Sequence, residues 1–472
     1  MAKETRRDFL RSGILGAGAV SFGLLALSQY GCRSRHESEN SPFGPLRVRP
    51  DETTGLPLLL LPEGFRYHTI SWAGEQMSDG FVCPTRADGM GIVSESDTEI
   101  RLVRNHELRG STAPIGRPEN AYDITGGGTS TMVFDKTRNM VSESWVSLGG
   151  TLNNCAGGVT PWGTWLSCEE APFSPDLRHL PLPSYQSHWD HDRAQKPHGY
   201  VFEVPADGVA EARPIKEMGQ FFHEAAIVDR ETGDVYMTED TNPKAGFYRF
   251  RPNVRGELAR GGKLQMLSVE DGMDMRSGLP HHVEWSTSWV DIDDPEKGFN
   301  EGERTGKGVV TQGLERNGSA FVGLEGAIWH ENAVYFTSKR GGGAAAGYIF
   351  EYFPRTEKIR LIFESKGHRQ FSGPDNINVS PRGNLVVCED RVTSETAGQA
   401  IAGVSKKGEL HKFCLIDPAL TGKWNGFDLA SGARNSEWAG ACFSSDGKWL
   451  FANIYKPGIT VAITGPWDPD WM

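Results

Sequence analysis

Short apolar runs recur in pairs along this chain, each pair split by a tight turn and closed by acidic residues. Residues 153–170 read NNCAGGVTPWGTWLSCEE and residues 223–240 read HEAAIVDRETGDVYMTED. The same pattern returns at 325–338 (EGAIWHENAVYFTS), 375–390 (DNINVSPRGNLVVCED) and 437–453 (EWAGACFSSDGKWLFAN), with a looser copy at 89–107. The runs are rich in Val, Ile, Tyr, Phe and Trp, as strands are. The breaks at 229–233, 380–383 and 444–447 carry the Pro, Asp, Ser and Gly that tight turns favour. A third apolar run follows each pair, at 200–204, 246–251, 348–353, 409–415 and 458–463, with 131–135 serving the first copy. Three strands per unit with a fourth at the outer edge describe a propeller blade. The pattern therefore predicts an all-β fold, a six-bladed β-propeller with loop insertions, and a seven-bladed one as second choice. The two long inserts, 171–198 and 254–316, are expected as loops on one face.

A repeat that keeps acids in register has a chemical consequence, because equivalent positions of successive blades converge on one axis. Glu224, Glu325, Asp375 and Glu437 open their units' first strands, and Cys155 takes that place in the second unit. Glu107, Glu169, Glu170, Glu239, Asp240, Glu389 and Asp390 close the second strands. So many carboxylates at one mouth require protons or cations to offset their repulsion. Oxygen-rich groups suit Ca²⁺, whereas the Cys155 sulfur is a better ligand for iron, zinc or copper. A mixed metal site is the chemical expectation; the bland alternative is a polar channel lined for hydration. Cys168 and Cys388 precede the closing acids of two units and read as small buried apolar residues.

Bulk properties narrow the picture further. The 472 residues suit one large propeller, and 57 glycines fit many turns. A formal charge of -12 argues against nucleic acid as a partner. At the start, Thr5, Arg6, Arg7, Asp8, Phe9, Leu10 and Arg11 precede an apolar stretch at 14–27, which is too short to span a bilayer. This resembles a twin-arginine export signal, which implies the twin-arginine translocase as partner and a periplasmic or exported protein without a transmembrane span. Cys32 follows Gly31, which suits lipoprotein cleavage, but Gln29 does not, so soluble export and lipid anchoring both stay open. The expected organisation is a signal segment at 1–32, a linker at 33–55 and one propeller domain at 56–472. A propeller closes its own core, so a monomer is expected. His188, His191 and His198 sit in a polar insert and read as surface residues. The run at 340–347 lacks the Gly-Lys-Ser/Thr ending of a phosphate loop, and no Gly-x-Ser-x-Gly element is present.

The segment NNCAGGVTPWGTWLSCEE resembles the PhoX-type alkaline phosphatase family. The likeness extends to LPEGFRYHTIS at 61–71, DGM at 88–90, NHE at 105–107, HEAAIVDRETGDVYMTED, EWAGACFSSDG and ITGPW at 463–467. It implies a six-bladed propeller holding two ferric ions and several calcium ions, and hydrolysis of small phosphomonoesters in the periplasm. Carried over, the family's iron-binding cysteine matches Cys155, with Glu169 following, and its metal-binding glutamates match Glu224 and Glu325. One departure stands out: the family's Arg-Pro-Glu is replaced by Gly323, Leu324 and Glu325, so the arginine that faces phosphate is missing. Arg340 or Lys339 are the candidates to compensate. Two other readings remain: a calcium-dependent lactonase-like hydrolase using a group such as His223 as acid or base, and a non-catalytic periplasmic metal-binding protein.

Overall fold

The structure is a computed structural model, and it describes residues 42–110, 112–182, 193–391, 393 and 398–467. The expected signal segment at 1–32, with Cys32, and His188 and His191 lie outside the described residues. The fold is all-β, with antiparallel sheets in a propeller-like arrangement.

Each repeated phrase becomes an inner hairpin. Ala87–Glu95 pairs with Glu99–His106, and the sheet continues outward through Gly127–Asp135 and Met140–Thr151. Asn154–Val159, Trp165–Glu169 and Val201–Val204 form the next sheet. A nine-stranded sheet holds two hairpins, one at each end: His223–Val228 with Val235–Glu239, and Leu324–His330 with Ala333–Ser338. Glu284–Asp291 joins its halves by pairing with both Gly262–Val269 and Lys358–Glu364. Pro374–Val379 and Trp438–Phe443 begin the last two sheets. The inner strands pack in closed order: Ala87–Glu95 on Asn154–Val159, then His223–Val228, Leu324–His330, Pro374–Val379, Trp438–Phe443 and back to Ala87–Glu95.

Two expectations change. The 254–316 insert is not all loop, because its alternating runs LQMLSV and EWSTSW supply two strands in the middle of the nine-stranded sheet and Gly308–Leu314 a short helix. Within the expected linker, Arg47–Arg49 pairs with Leu59–Leu61 on the outer edge of the sheet that begins with Pro374–Val379, and buried Asp51 caps the backbone of Thr53, Thr54 and Thr69. The last sheet takes its outermost strand from near the start of the described chain, Arg66–Trp72 pairing with Ile459–Thr464. Among the described residues no helix is long and apolar enough to cross a membrane.

The apolar core lies between sheets. Leu166, Met237, Phe250 and Met266 fill one such layer, and Phe247, Phe336, Phe350 and Tyr352 another. Small residues let the inner strands approach closely. A Cβ on Gly158 would lie 2.1 Å from the carbonyl oxygen of Ala226 in the next sheet, and one on Gly326 would lie 2.7 Å from Asn376 Cα. Because these obstacles are backbone, a side chain there forces the sheets apart. Gly158→Ala is expected to lower stability by about 1–3 kcal/mol, read as a reduced urea midpoint at unchanged m-value. An unchanged midpoint would show that the sheets are not held at this spacing.

Candidate metal centre

Every inner hairpin carries the same irregularity at the same place. Register slips between Ala87 and Met90, Asn154 and Gly157, His223 and Ala226, Leu324 and Ala327, Pro374 and Ile377, and Ala439 and Cys442. At each slip the inner strand holds one residue more than its partner, and such a bulge re-aims a side chain out of the strand's alternation. The first bulged residues are Asp88, Cys155, Glu224, Glu325 and Asp375 in five hairpins and Gly440 in the remaining one.

The bulges are also where the sheets interlock. Asn105 Nδ2 donates to the Cys155 carbonyl at 3.0 Å, Thr238 Oγ1 to that of Glu325 at 2.5 Å, Thr337 Oγ1 to that of Asp375 at 2.7 Å, and Asn453 Nδ2 to that of Asp88 at 2.6 Å. Gly440 N donates to Asn376 Oδ1 at 2.6 Å. The donors to the carbonyls all sit on the second strand of the preceding inner hairpin, so these four bulges are each fixed by a neighbouring hairpin.

The result is a cavity of about 340 Å³ where the hairpins meet. Asp88, Glu107, Cys155, Glu170, Asp240, Glu325, Asp375, Asp390 and Glu437 line it, together with Arg86, Arg109, Lys339, Trp438, Tyr455 and Lys456. Cys155, Glu170 and Glu224 bring ligand atoms within 4.8 Å of one another, and Glu224, Glu325 and Asp375 do the same, so the two groups share Glu224. Both Glu224 oxygens, Glu325 Oε1 and Asp240 Oδ1 are buried without a hydrogen-bond partner. Buried carboxylate oxygens without partners are rare, and a cation is their usual partner. A soft thiol beside carboxylates is a donor set that fits iron in one group, and the all-carboxylate group fits calcium.

The electrostatics agree. Burial, followed by the neighbouring Glu325 and Asp375, pushes the Glu224 carboxyl well up. Burial and Asp240 do the same to Glu170 and Glu325. Burial with Asp88 and Glu224 raises the Cys155 thiol. Burial lifts Asp375 to about 6 although Lys339 opposes it, whereas Lys339 overcomes burial at Asp390 and holds it at about 2. The Lys339 ammonium pairs with Asp375 at 3.0 Å, with Glu325 at 3.5 Å and with Asp390.

Several expected site residues stand elsewhere. Glu169, Glu239 and Glu389 do not reach the cavity, because alternation along a strand turns the first acid of each closing pair away from the face its successor occupies. Their carboxylates instead accept backbone N–H groups: Glu169 from Leu152, Gly199 and Tyr200, Glu239 from Gly246, and Glu389 from Ser372 and Ala400. Burial raises Glu239 to about 8 and Glu389 to about 7. His223 is fully buried, stacked on Phe221 at 3.6 Å with Nε2 2.9 Å from the Gly219 carbonyl, and burial depresses it to about 3. Arg340 is exposed and does not line the cavity, whereas Lys339 does. Glu437 precedes its strand and lines the cavity, but the bulge place is held by Gly440. Cys168 and Cys388 are buried, as expected.

Asp88, Arg86, Arg109 and Tyr455 were not foreseen. For Asp88 the signal was present: an acid followed by a small residue, as in Glu224-Ala225 and Glu325-Gly326. His198, expected at the surface, is fully buried between two acids, with Nδ1 2.6 Å from Glu169 and Nε2 3.2 Å from Asp123. It ties the described end of the 171–198 insert to the strand end that carries Glu170.

Interlocked bulges around a cavity of carboxylates and a thiol define the class: an all-β protein of propeller-like arrangement with a candidate metal centre where its inner strands meet. A profile of the family described as alkaline phosphatase PhoX matches residues 41–139 and 119–458. The chain belongs to this family and is by class a phosphatase. Among solved structures it is similar to Pseudomonas fluorescens PhoX in complex with vanadate, a transition state analogue, at 16% identity and TM-score 0.61, over 89% of this chain and 98% of that one. Fainter likenesses are to the PQQ domain of pyranose dehydrogenase from Coprinopsis cinerea (9% identity, TM-score 0.33, 87% and 99% covered) and to TolB from Acinetobacter baumannii (10%, 0.35, 80% and 67%). No curated protein sequence matches.

The His198 cluster gives a pH-dependent expectation. Burial disfavours the charged ring, but Glu169 and Asp123 outweigh it and raise His198 to about 9. Its stabilisation is therefore complete below the unfolded value near 6.5 and is lost as pH rises through about 9. His198→Ala is expected to cost about 3–5 kcal/mol at pH 6, the usual loss when a buried ion pair is broken. The gap in melting temperature between the two proteins should narrow above pH 9. A gap that stays constant from pH 6 to 10 contradicts this account.

Proposed function

We propose that the chain is an exported, metal-dependent phosphomonoesterase whose site lies where the inner strands of a six-bladed propeller meet. The closed order in which the inner strands pack supports the six-blade count. In this reading residues 56–472 form one propeller, residues 1–32 direct export to the periplasm through the twin-arginine translocase, and the protein acts as a monomer. The observation that carries the reading is the pair of donor groups sharing Glu224, one of them containing the only thiol on the cavity wall among the described residues.

Cys155, Glu170 and Glu224 would hold iron, and Glu224, Glu325 and Asp375, with neighbouring carboxylates, would hold calcium. When bound, such ions supply positive charge to the phosphoryl oxygens of a small phosphate ester and favour an ionised water at neutral pH. The chain's own residues do the rest. Asp88, Cys155, Glu224, Glu325 and Asp375 are pre-positioned by bulges whose carbonyls or neighbours are hydrogen-bonded, so little reorganisation is required on binding. Gly323 leaves the hairpin of Leu324–His330 and Ala333–Ser338 without the expected arginine, but Arg86 and Arg109 face the cavity from the first sheet. Arg86 is steadied by donating to Tyr455 Oη at 2.8 Å, and Tyr455 in turn is hydrogen-bonded to Glu107. A guanidinium from this side offers the planar fork that a phosphate dianion takes up.

Metal analysis of protein exported through its native route tests the reading directly. Iron together with calcium is expected in the wild type, with iron lost in Cys155→Ala and p-nitrophenyl phosphate hydrolysis lost with it. Calcium alone, with Cys155→Ala fully active, would sink the proposal. Arg109→Ala is expected to raise KM for p-nitrophenyl phosphate roughly 10- to 100-fold, as about 1.5–3 kcal/mol of charged hydrogen bonding is removed. An unchanged KM would place phosphate recognition elsewhere.

A further inference from the structure

The residues that follow the second strands of the hairpins occupy one register position. In four hairpins that residue is an acid, Glu107, Glu170, Asp240 or Asp390, and each lines the cavity. In the hairpin of Leu324–His330 and Ala333–Ser338 it is Lys339. The substitution does more than remove a carboxylate. It places an ammonium at the point where an acid would have increased the repulsion.

The geometry around that ammonium is that of a cation site. Lys339 Nζ has Asp375 at 3.0 Å and Glu325 at 3.5 Å, with Asp390 bonded to it as well. These carboxylates come from three different strand ends, and Glu325 is only 1% exposed with Oε1 making no hydrogen bond. The lysine side chain is itself 15% exposed, so its charge is screened poorly by water. An ammonium has three donors and one charge, which matches the convergence of carboxylates from several directions.

We propose that Lys339 is a tethered cation that fills, as part of the chain, a position that would otherwise bind a divalent ion at this centre. The inference rests on the metal-centre reading above and goes beyond it in one respect: Lys339 serves the charge balance of the site and leaves phosphate recognition to other groups. Two consequences follow. The wild type needs one metal ion fewer than its wall of acids implies. The carboxylates around Lys339 remain clustered without added metal, because their compensating charge cannot diffuse away.

The test compares wild type, Lys339→Asp and Lys339→Met, with Lys406→Met as control, since Lys406 lies in an exposed pair with Glu331 far from the cavity. Calcium is the probe, counted per chain by equilibrium dialysis and elemental analysis, and melting temperature is followed over a calcium titration. Lys339→Asp, which restores the acid of the other hairpins, is expected to bind about one more calcium ion per chain. Lys339→Met is expected to melt lower than wild type without calcium and to recover most of that loss when calcium is added. The control should match wild type in both respects. If folded Lys339→Asp holds no additional calcium, or Lys339→Met shows no greater calcium-dependent rise in melting temperature than wild type, the proposal is wrong. Should Lys339→Asp fail to fold, the Lys339→Met titration alone decides. Neither readout depends on phosphate hydrolysis, so an inactive wild type would overturn the phosphatase reading and leave this result standing.

Discussion

The structure depends on a hydrogen bond made across sheets to the one carbonyl a bulge leaves over. A regular inner strand would satisfy all its backbone groups within its own sheet and turn its side chains alternately to the two faces. The extra residue breaks both habits at once. It frees a carbonyl, which then accepts a hydrogen bond from Asn105, Thr238, Thr337 or Asn453 of the preceding hairpin, and it aims Cys155, Glu325, Asp375 or Asp88 out of the sheet plane. The same bonds that hold neighbouring sheets at close spacing therefore fix the direction of the candidate ligands. Loss of one sheet's position would be felt as misplacement of the next sheet's ligand, so architecture and site share a single set of restraints.

That arrangement concentrates negative charge to a degree the bare protein tolerates poorly. Burial and mutual repulsion push Glu170, Glu224, Glu325 and Glu437 upward together, which marks them as groups awaiting a positive partner. Acids that merely support the fold look different. Glu169 and Glu389 each accept backbone N–H groups with both oxygens, and their role is to close strand ends. Two carboxylates adjacent in sequence thus divide the work: one turns inward to the backbone, and its successor turns to the cavity.

Much of this was legible in the sequence because it rests on period and register. The paired runs located every inner hairpin, and the shared place at the start of each first strand pointed to Cys155, Glu224, Glu325 and Asp375. What the pattern could not resolve was which face each member of a closing pair takes. Glu169-Glu170 and Glu239-Asp240 look alike in sequence, yet strand alternation sends only the second of each to the cavity. Asp88 stands one residue before the looser copy at 89–107, and Glu437 opens its repeat while the bulge falls three residues later, at Gly440. Arg86 and Arg109 belong to no repeat, since they arrive from strand ends whose meeting is a tertiary fact, and Tyr455 follows the second strand of the last hairpin where other hairpins carry an acid or Lys339. His198 was misjudged for a related reason: polar composition suggested a surface loop, but two buried acids hold its ring.

The outermost strand of the last sheet, Arg66–Trp72, is made long before its partner Ile459–Thr464. The ring cannot latch until the strand at 459–464 exists, and that latch is the most non-local strand pairing among the described residues. Closure over such a sequence separation is slow compared with formation of a hairpin. Until it happens, the edges of Arg66–Trp72 and of the unfinished last sheet are exposed to mispairing with other chains. The sequence therefore carries an interval of vulnerability set by topology, and a chain cut short before residue 459 would leave its first long strand without a place to go.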